Sequence, residues 1–397
     1  MPIVVARDLA LVLYFIVVFF LYLFWITPGE DPGVYVYYSL LIGSVIVFVF
    51  CSLHLFVSRD QKLNKIFISS FILLALCTFF DLFLHGQTNI VNFMFFLVFA
   101  WSVYSYPVRG FRVVVNFLFL VAVAWSIISY YIGINPWGFF PGQATTNLSQ
   151  GLWWRVGIFP SQTPPFSGAF ALIVFIINFK ASGAVARVLT LISLYFMIFA
   201  GSRAIVVAFV LCAIVYFLSF KIRLRGIPII LVIMASISFV FLLSNIPALL
   251  APLFSWSEFL SSLILRAGEG AQVDSTPDSR SLIFFHFSQH IVASWPSGMG
   301  ANTLAAVYDG PGGSEMPGVR IVAESGVWGV GALVSLSFFG FMRSVDSKLF
   351  MVLFFILMFF YGSFLHPYTP VFLAMLCILS GRQWRVEHPK KGIFFNV

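Results

Sequence analysis

Guanidinium is a permanently charged planar fork that grips phosphate or carboxylate with two parallel hydrogen bonds. The chain carries Arg155, Arg203, Arg266, Arg280 and Arg320 in connections between apolar segments that hold no lysine at all. Two readings stand side by side: five solvated surface arginines, or several converging on an anion, with phosphate favoured. Arg203 is the strongest case. It sits in Ala200-Gly201-Ser202-Arg203-Ala204 between two apolar runs with no real loop. Gly201 and Ser202 permit a tight turn, and a helix starting there adds its partial positive charge beside the guanidinium. The plain alternative is a long side chain snorkelling to an interface.

The acid–base candidates lie close to these arginines in sequence. Glu324, in Ala323-Glu324-Ser325-Gly326-Val327, stands at the start of an apolar run. It either pairs with an arginine or acts as a base. Glu315 sits in a Gly-rich stretch from which it could approach an acceptor, and His366 precedes Pro367 at a turn. His286 and His290 have the i, i+4 spacing that binds zinc when a third ligand exists. No H-E-x-x-H motif accompanies them, and Phe285 and Phe287 flank the first. Packing or hydrogen bonding is the preferred role, His286 keeps a place among the catalytic candidates, and no metal or other cofactor is expected.

The elements that must hold these groups are set by composition. Of 397 residues, 61% are hydrophobic and only 9% charged, with a mean hydropathy of +1.02. Soluble domains carry about 25% charged residues, so a soluble globular enzyme is excluded. So is a nucleic-acid-binding or disordered chain, despite the net charge of +8. A spanning helix takes about 20 apolar residues. Apolar runs fall near 9–27, 36–57, 67–85, 89–106, 113–134, 167–181, 187–200, 203–220, 227–246, 322–342, 348–366 and 367–381. They are continuous rather than alternating, which argues against a barrel. The expectation is one all-α polytopic membrane domain over 1–397 with about twelve transmembrane helices. Cys51, Cys77, Cys212 and Cys377 lie within these runs without a CxxC pair and read as packing residues.

Charge sets the sidedness. Arg7, Arg59, Lys62, Lys65, Arg109, Arg112, Lys180, Arg187, Lys221, Arg223, Arg225, Arg343, Lys348, Arg382, Arg385, Lys390 and Lys391 share one set of connections. The positive-inside rule makes that side cytoplasmic, with both termini. The long connections 135–166 and 247–321 then lie outside, with the five arginines. The second behaves as a small subdomain. Residues 251–266 gather Leu253, Phe254, Trp256, Phe259, Leu260, Leu263 and Ile264 largely on one helical face, as an interfacial helix does. A second helix is expected from about Arg280 to Ser294, N-capped by Asp278 or Ser279 and stopped at Pro296. Gly298-Met299-Gly300 and Gly310-Pro311-Gly312-Gly313 read as turns, or as backbone close to a ligand.

Three of these segments, in this order, resemble the bacterial O-antigen polymerase (Wzy) and O-antigen ligase superfamily of membrane glycosyltransferases. They are Gly201-Ser202-Arg203 opening a run; Arg280 with Trp295-Pro296 and Gly298-Met299-Gly300; and Glu324-Ser325-Gly326-Val327-Trp328-Gly329 after the large loop. The motifs cover roughly residues 190–345, and the topology covers the whole chain. The resemblance implies a GT-C-like, inverting, metal-independent transferase. It would act on glycans linked through pyrophosphate to undecaprenol, at the periplasmic face of the bacterial inner membrane. The family's functional arginines carry over to Arg203 and Arg280; Arg266, Arg320 and Arg155 join them from the charge pattern alone. Membrane lipids and a chain-length regulator are the implied partners, with no nucleic acid. Ligases of this family usually place a histidine about nine residues before the acid of the third motif. Here that neighbourhood reads Ser314-Glu315-Met316-Pro317-Gly318, which points to a polymerase and leaves Glu315, Glu324 and the loop histidines as candidate bases.

Two rivals remain. One is the ligase, which the absent histidine disfavours. The other is a transporter or flippase without chemistry, for which Asp81, near the end of its run and close to His85, is the chief acid within a span. In the transferase reading, chelators leave activity intact. Loss with EDTA that zinc restores would instead point to His286 and His290.

Overall fold

The computed structural model describes residues 2–24, 39, 42–43, 46, 49, 65–86, 108, 110–135, 156–160, 163–221, 289–300, 317–341, 345–360 and 369–381. Within them the chain is all-helical, with no strand. The elements are α1 (Pro2–Phe24), α2 (Lys65–His85), α3 (Phe111–Tyr131), α4 (Pro164–Asn178), α5 (Ala184–Phe199), α6 (Arg203–Lys221), α7 (Pro317–Phe341), α8 (Val345–Phe360) and α9 (Pro370–Gly381). Each corresponds to one of the apolar runs. The runs 36–57 (apart from the isolated helical positions above), 89–106 and 227–246, and most of the two long connections, lie outside the described residues. α7 begins at Pro317 rather than near residue 322, so Arg320 belongs to a helix and not to the loop. Proline suits a first helical position, and buried Val319 and Ile321 extend the apolar face backwards by a turn.

α4 is the centre of the bundle, buried along nearly its whole length. It packs against α3, α5, α6, α8 and α9. An aromatic core surrounds it: Phe15 and Phe19 of α1, Phe111 and Phe119 of α3, Phe170 of α4 and Phe196 of α5, all essentially inaccessible. Ring centroids lie 4.9 Å apart for Phe15–Phe111 and 5.6 Å for Phe19–Phe170, the tilted geometry aromatic quadrupoles prefer.

The outer faces are apolar as well. On α1, Val5, Leu9, Leu13 and Val17 form an exposed i, i+4 stripe, while Leu11, Phe15 and Val18 face inward. α3 exposes Val113, Phe117 and Leu120 in the same way. A helix apolar on all sides is either a core helix or a span, and here the apolar stripe faces out. Val5–Phe24 and Phe111–Tyr131 are long and apolar enough to cross a membrane.

Polar groups among these helices are tied down in pairs. Asn116 and Asn178 exchange amide hydrogen bonds of 3.1 and 2.8 Å between α3 and α4, and Arg112 Nη2 donates to Asn178 Oδ1. At the opposite end of α4, Ser167 Oγ accepts from both Ile158 N and Phe159 N, at 2.9 and 3.2 Å. Ser126 Oγ donates to Gly157 O at 2.7 Å, and Val156 N to Phe199 O at 2.8 Å. The segment 156–160 is thereby stitched to α3, α4 and α5. Ser167→Ala would leave two buried N–H groups without an acceptor, at about 1–3 kcal/mol each. Thermal unfolding of the detergent-solubilised chain should show the lowered midpoint.

Candidate functional site

α2 and α7 run antiparallel in close contact. Cys77 Sγ lies 2.6 Å from where a Cβ would stand on Gly331, so any side chain there would displace the thiol. One turn on, Phe80 stacks on Trp328 with centroids 4.6 Å apart. A turn further, the apolar pairing gives way to polar groups. Asp81 and His85, i and i+4 on one face of the last turn of α2, join through His85 Nδ1 and Asp81 Oδ1 at 3.1 Å. Ser325 Oγ donates to the other oxygen, Asp81 Oδ2, at 3.1 Å. Asp81 is completely buried.

Ser325 reaches Asp81 because α7 breaks beside it. Gly326 takes φ 56°, ψ −131° inside the helix, a region essentially reserved for glycine. The break interrupts the i to i−4 ladder and frees Val327 N–H and the carbonyls of Ala323 and Glu324. Buried backbone groups need partners. Residues 296–300 supply all three: Met299 N donates to Ala323 O (3.1 Å), Gly300 N to Glu324 O (2.8 Å), and Val327 N to Pro296 O (2.9 Å). Gly298 has φ 83°, and a side chain there would collide with Glu324 O; one on Gly326 would collide with Pro296 O. The glycines of 298–300 thus serve an approach between two backbones. A helix over 289–294 leads into this segment, ending before the cis Trp295–Pro296 bond.

Arg320 Nε donates to Glu324 Oε1 at 2.9 Å across one turn of α7. The carboxylate is fully buried and the guanidinium 26% exposed. Glu324 therefore pairs with one of the five arginines, and its backbone carbonyl anchors Gly300. Arg203 opens α6 after a turn at buried Gly201, φ 61°, as its sequence implied. Its side chain lies outside the described residues, as do Arg155, Arg266, Arg280, His286, Glu315 and His366 entirely. The Val156–Phe199 hydrogen bond nevertheless brings the residue after Arg155 beside the end of α5, four residues before Arg203.

The structure thus brings together Arg320, Glu324, the 298–300 glycines, Asp81, His85 and Ser325. Sequence reasoning read Asp81 and His85 only as a hint of transport, and did not single out Ser325. The usable signal was an acid within an apolar run with a histidine one turn on, since ionisable groups at such depth are functional by default. Among the described residues, no group of three or more His, Cys, Asp or Glu side chains is arranged to hold a metal. No protein-family model, curated protein or solved structure matches the chain.

Gly326→Ala and Gly298→Ala should each destabilise by roughly 2 kcal/mol or more. Both break the same backbone exchange, so the double variant should lose at least about 0.5 kcal/mol less than the sum. Thermal melts of the four proteins form the cycle.

Proposed function

We propose that the chain is an inverting membrane glycosyltransferase that polymerises undecaprenyl-pyrophosphate-linked repeat units into O-antigen or a related surface polysaccharide. In this reading it is a GT-C-like protein of about twelve spans in the bacterial inner membrane. Both termini are cytoplasmic and the site is periplasmic. The observation that carries the proposal is the meeting of the second and third glycine-bearing motifs. They join at a buried cluster that includes Arg320 and Glu324. α2 runs from Lys65 to the cluster, and α7 runs from the cluster toward Arg343. The cluster thus lies toward the ends of both helices away from Lys65 and Arg343 in the chain, which supports the sidedness read from the charge pattern.

The chemistry follows from the leaving group. Attack of a sugar hydroxyl on the anomeric carbon breaks the bond to pyrophosphate, and negative charge builds on the departing oxygen. Arginines placed beforehand stabilise that charge in a water-poor site. Arg203 and Arg280 are assigned to the pyrophosphate, with Arg320, Arg266 and Arg155 as further candidates. The growing chain is the donor and the incoming unit the acceptor. The isoprenoid tails lie between helices, in the bilayer.

A second reading rests on one specific feature: a helix interrupted at Gly326 beside buried Asp81 resembles the broken helices of transporters. Deleting the gene in its host and separating lipopolysaccharide on a gel distinguishes the readings. A core band carrying a single repeat unit supports the polymerase. Bare core with polymer retained on undecaprenyl pyrophosphate indicates a ligase, and an unchanged ladder removes O-antigen polymerisation. In the polymerase case, Arg203→Ala and Arg280→Ala abolish the ladder while the protein persists. Lysine at either position restores little, because the fork is lost.

A further inference from the structure

We infer that His85 is the general base of the transfer, taking the proton of the acceptor hydroxyl on Nε2, and that Asp81 is its positioning residue. The inference rests on the glycosyl-transfer reading and supplies a base that the sequence motifs left open. Four observations carry it. First, Asp81 Oδ1 lies 3.1 Å from Nδ1. An ionised carboxylate can only accept, so Nδ1 bears the proton and the basic lone pair falls on Nε2. Second, among the described residues Nε2 makes no hydrogen bond. Third, His85 keeps 13% of its side chain accessible, whereas Asp81 keeps 1%. The imidazole is the member of the pair that a substrate can reach. Fourth, Ser325 occupies the second carboxylate oxygen from α7, which fixes the carboxylate and hence the ring it orients.

The surroundings suit a sugar. Gly300 passes the imidazole so closely that a Cβ there would lie 3.3 Å from His85 Cδ2. The bare backbone leaves the ring's edge open where a side chain would cover it. Among the described residues, the other charged or titratable groups on elements packed around His85 include Cys77 on α2, Glu324 and Arg320 on α7 and His290 in the segment leading to Gly300. Glu324 and Arg320 are already joined to each other.

The step balances without any further reagent. The acceptor oxygen forms a bond to the anomeric carbon on the face opposite the pyrophosphate. The carbon–oxygen bond to pyrophosphate breaks, and its electron pair leaves with undecaprenyl pyrophosphate. The hydroxyl proton passes to His85 Nε2 and then to solvent. A positioned base contributes typically 10²–10⁴-fold to such a step.

The test uses the full-length protein in nanodiscs and lipid-linked repeat units extracted from the gene-deletion host, with chain growth read on a gel. Wild type should elongate; if it does not, the polymerase reading fails and takes the base with it. Given elongation, His85→Gln should lower kcat by roughly 10²-fold or more with KM within about threefold. His85→Ala should regain activity with added imidazole. Asp81→Asn, which keeps the size of the side chain, should lower kcat less and gain nothing from imidazole. His85→Gln within about threefold of wild type, or a loss in His85→Ala that imidazole does not restore while the melting temperature holds, would overturn the assignment.

Discussion

Everything at the described site hangs on an exchange of backbone hydrogen bonds. One glycine, Gly326, turns α7 out of helical geometry and takes a donor and two acceptors out of the helical ladder, the acceptors on fully buried Ala323 and Glu324. A buried peptide group left unsatisfied costs about 1–3 kcal/mol, so the break depends on residues 296–300 filling it. The same exchange fixes where Ser325 points, and therefore which partner Asp81 keeps. Backbone supplies the rigidity here; side chains supply the chemistry.

This arrangement divides the labour between two kinds of contact. The α2–α7 pair is held by apolar fit, through Gly331 against Cys77 and Phe80 on Trp328, up to the point where Asp81 begins the polar cluster. Beyond that point both oxygens of Asp81 are engaged, by His85 and Ser325, and Arg320 is joined to Glu324. A buried acid with both oxygens engaged is costly to assemble but well oriented. Orientation is what a proton acceptor needs most from its support.

Much of the fold was legible in the sequence because long apolar helices announce themselves by continuous apolar length. The nine long described helices each fall on one such run, although α1 and α7 begin well before theirs, at Pro2 and Pro317. The start of α7 was misjudged because Val319 and Ile321 are separated by Arg320, and the charge masked an apolar face that continues through it. The site was legible in outline: Gly298-Met299-Gly300 and Glu324-Ser325-Gly326 both stood out, as did Arg320. That they touch was not legible, because the glycines of 298–300 read as turns, or as backbone close to a ligand, and Glu324 as the partner of an arginine or a base, with nothing in either motif pointing to the other. Nothing in a linear pattern tells that the N–H of Met299 replaces the fourth-residue partner of Ala323. The roles of Asp81 and His85 stayed hidden for a related reason, since their partner lies 244 residues away in the chain.

That separation has a consequence during synthesis. α2 leaves the ribosome early, carrying a carboxylate whose hydrogen-bonded companion is His85, one turn along the same helix. Its hydroxyl partner follows only after the large connection has been made. The nascent protein therefore passes most of its production with the cluster incomplete. The cluster can be completed only late, once residues 296–300 and Ser325 have been made. A chain cut short before Ser325 keeps most of its apolar helices and lacks the means to orient its own acid.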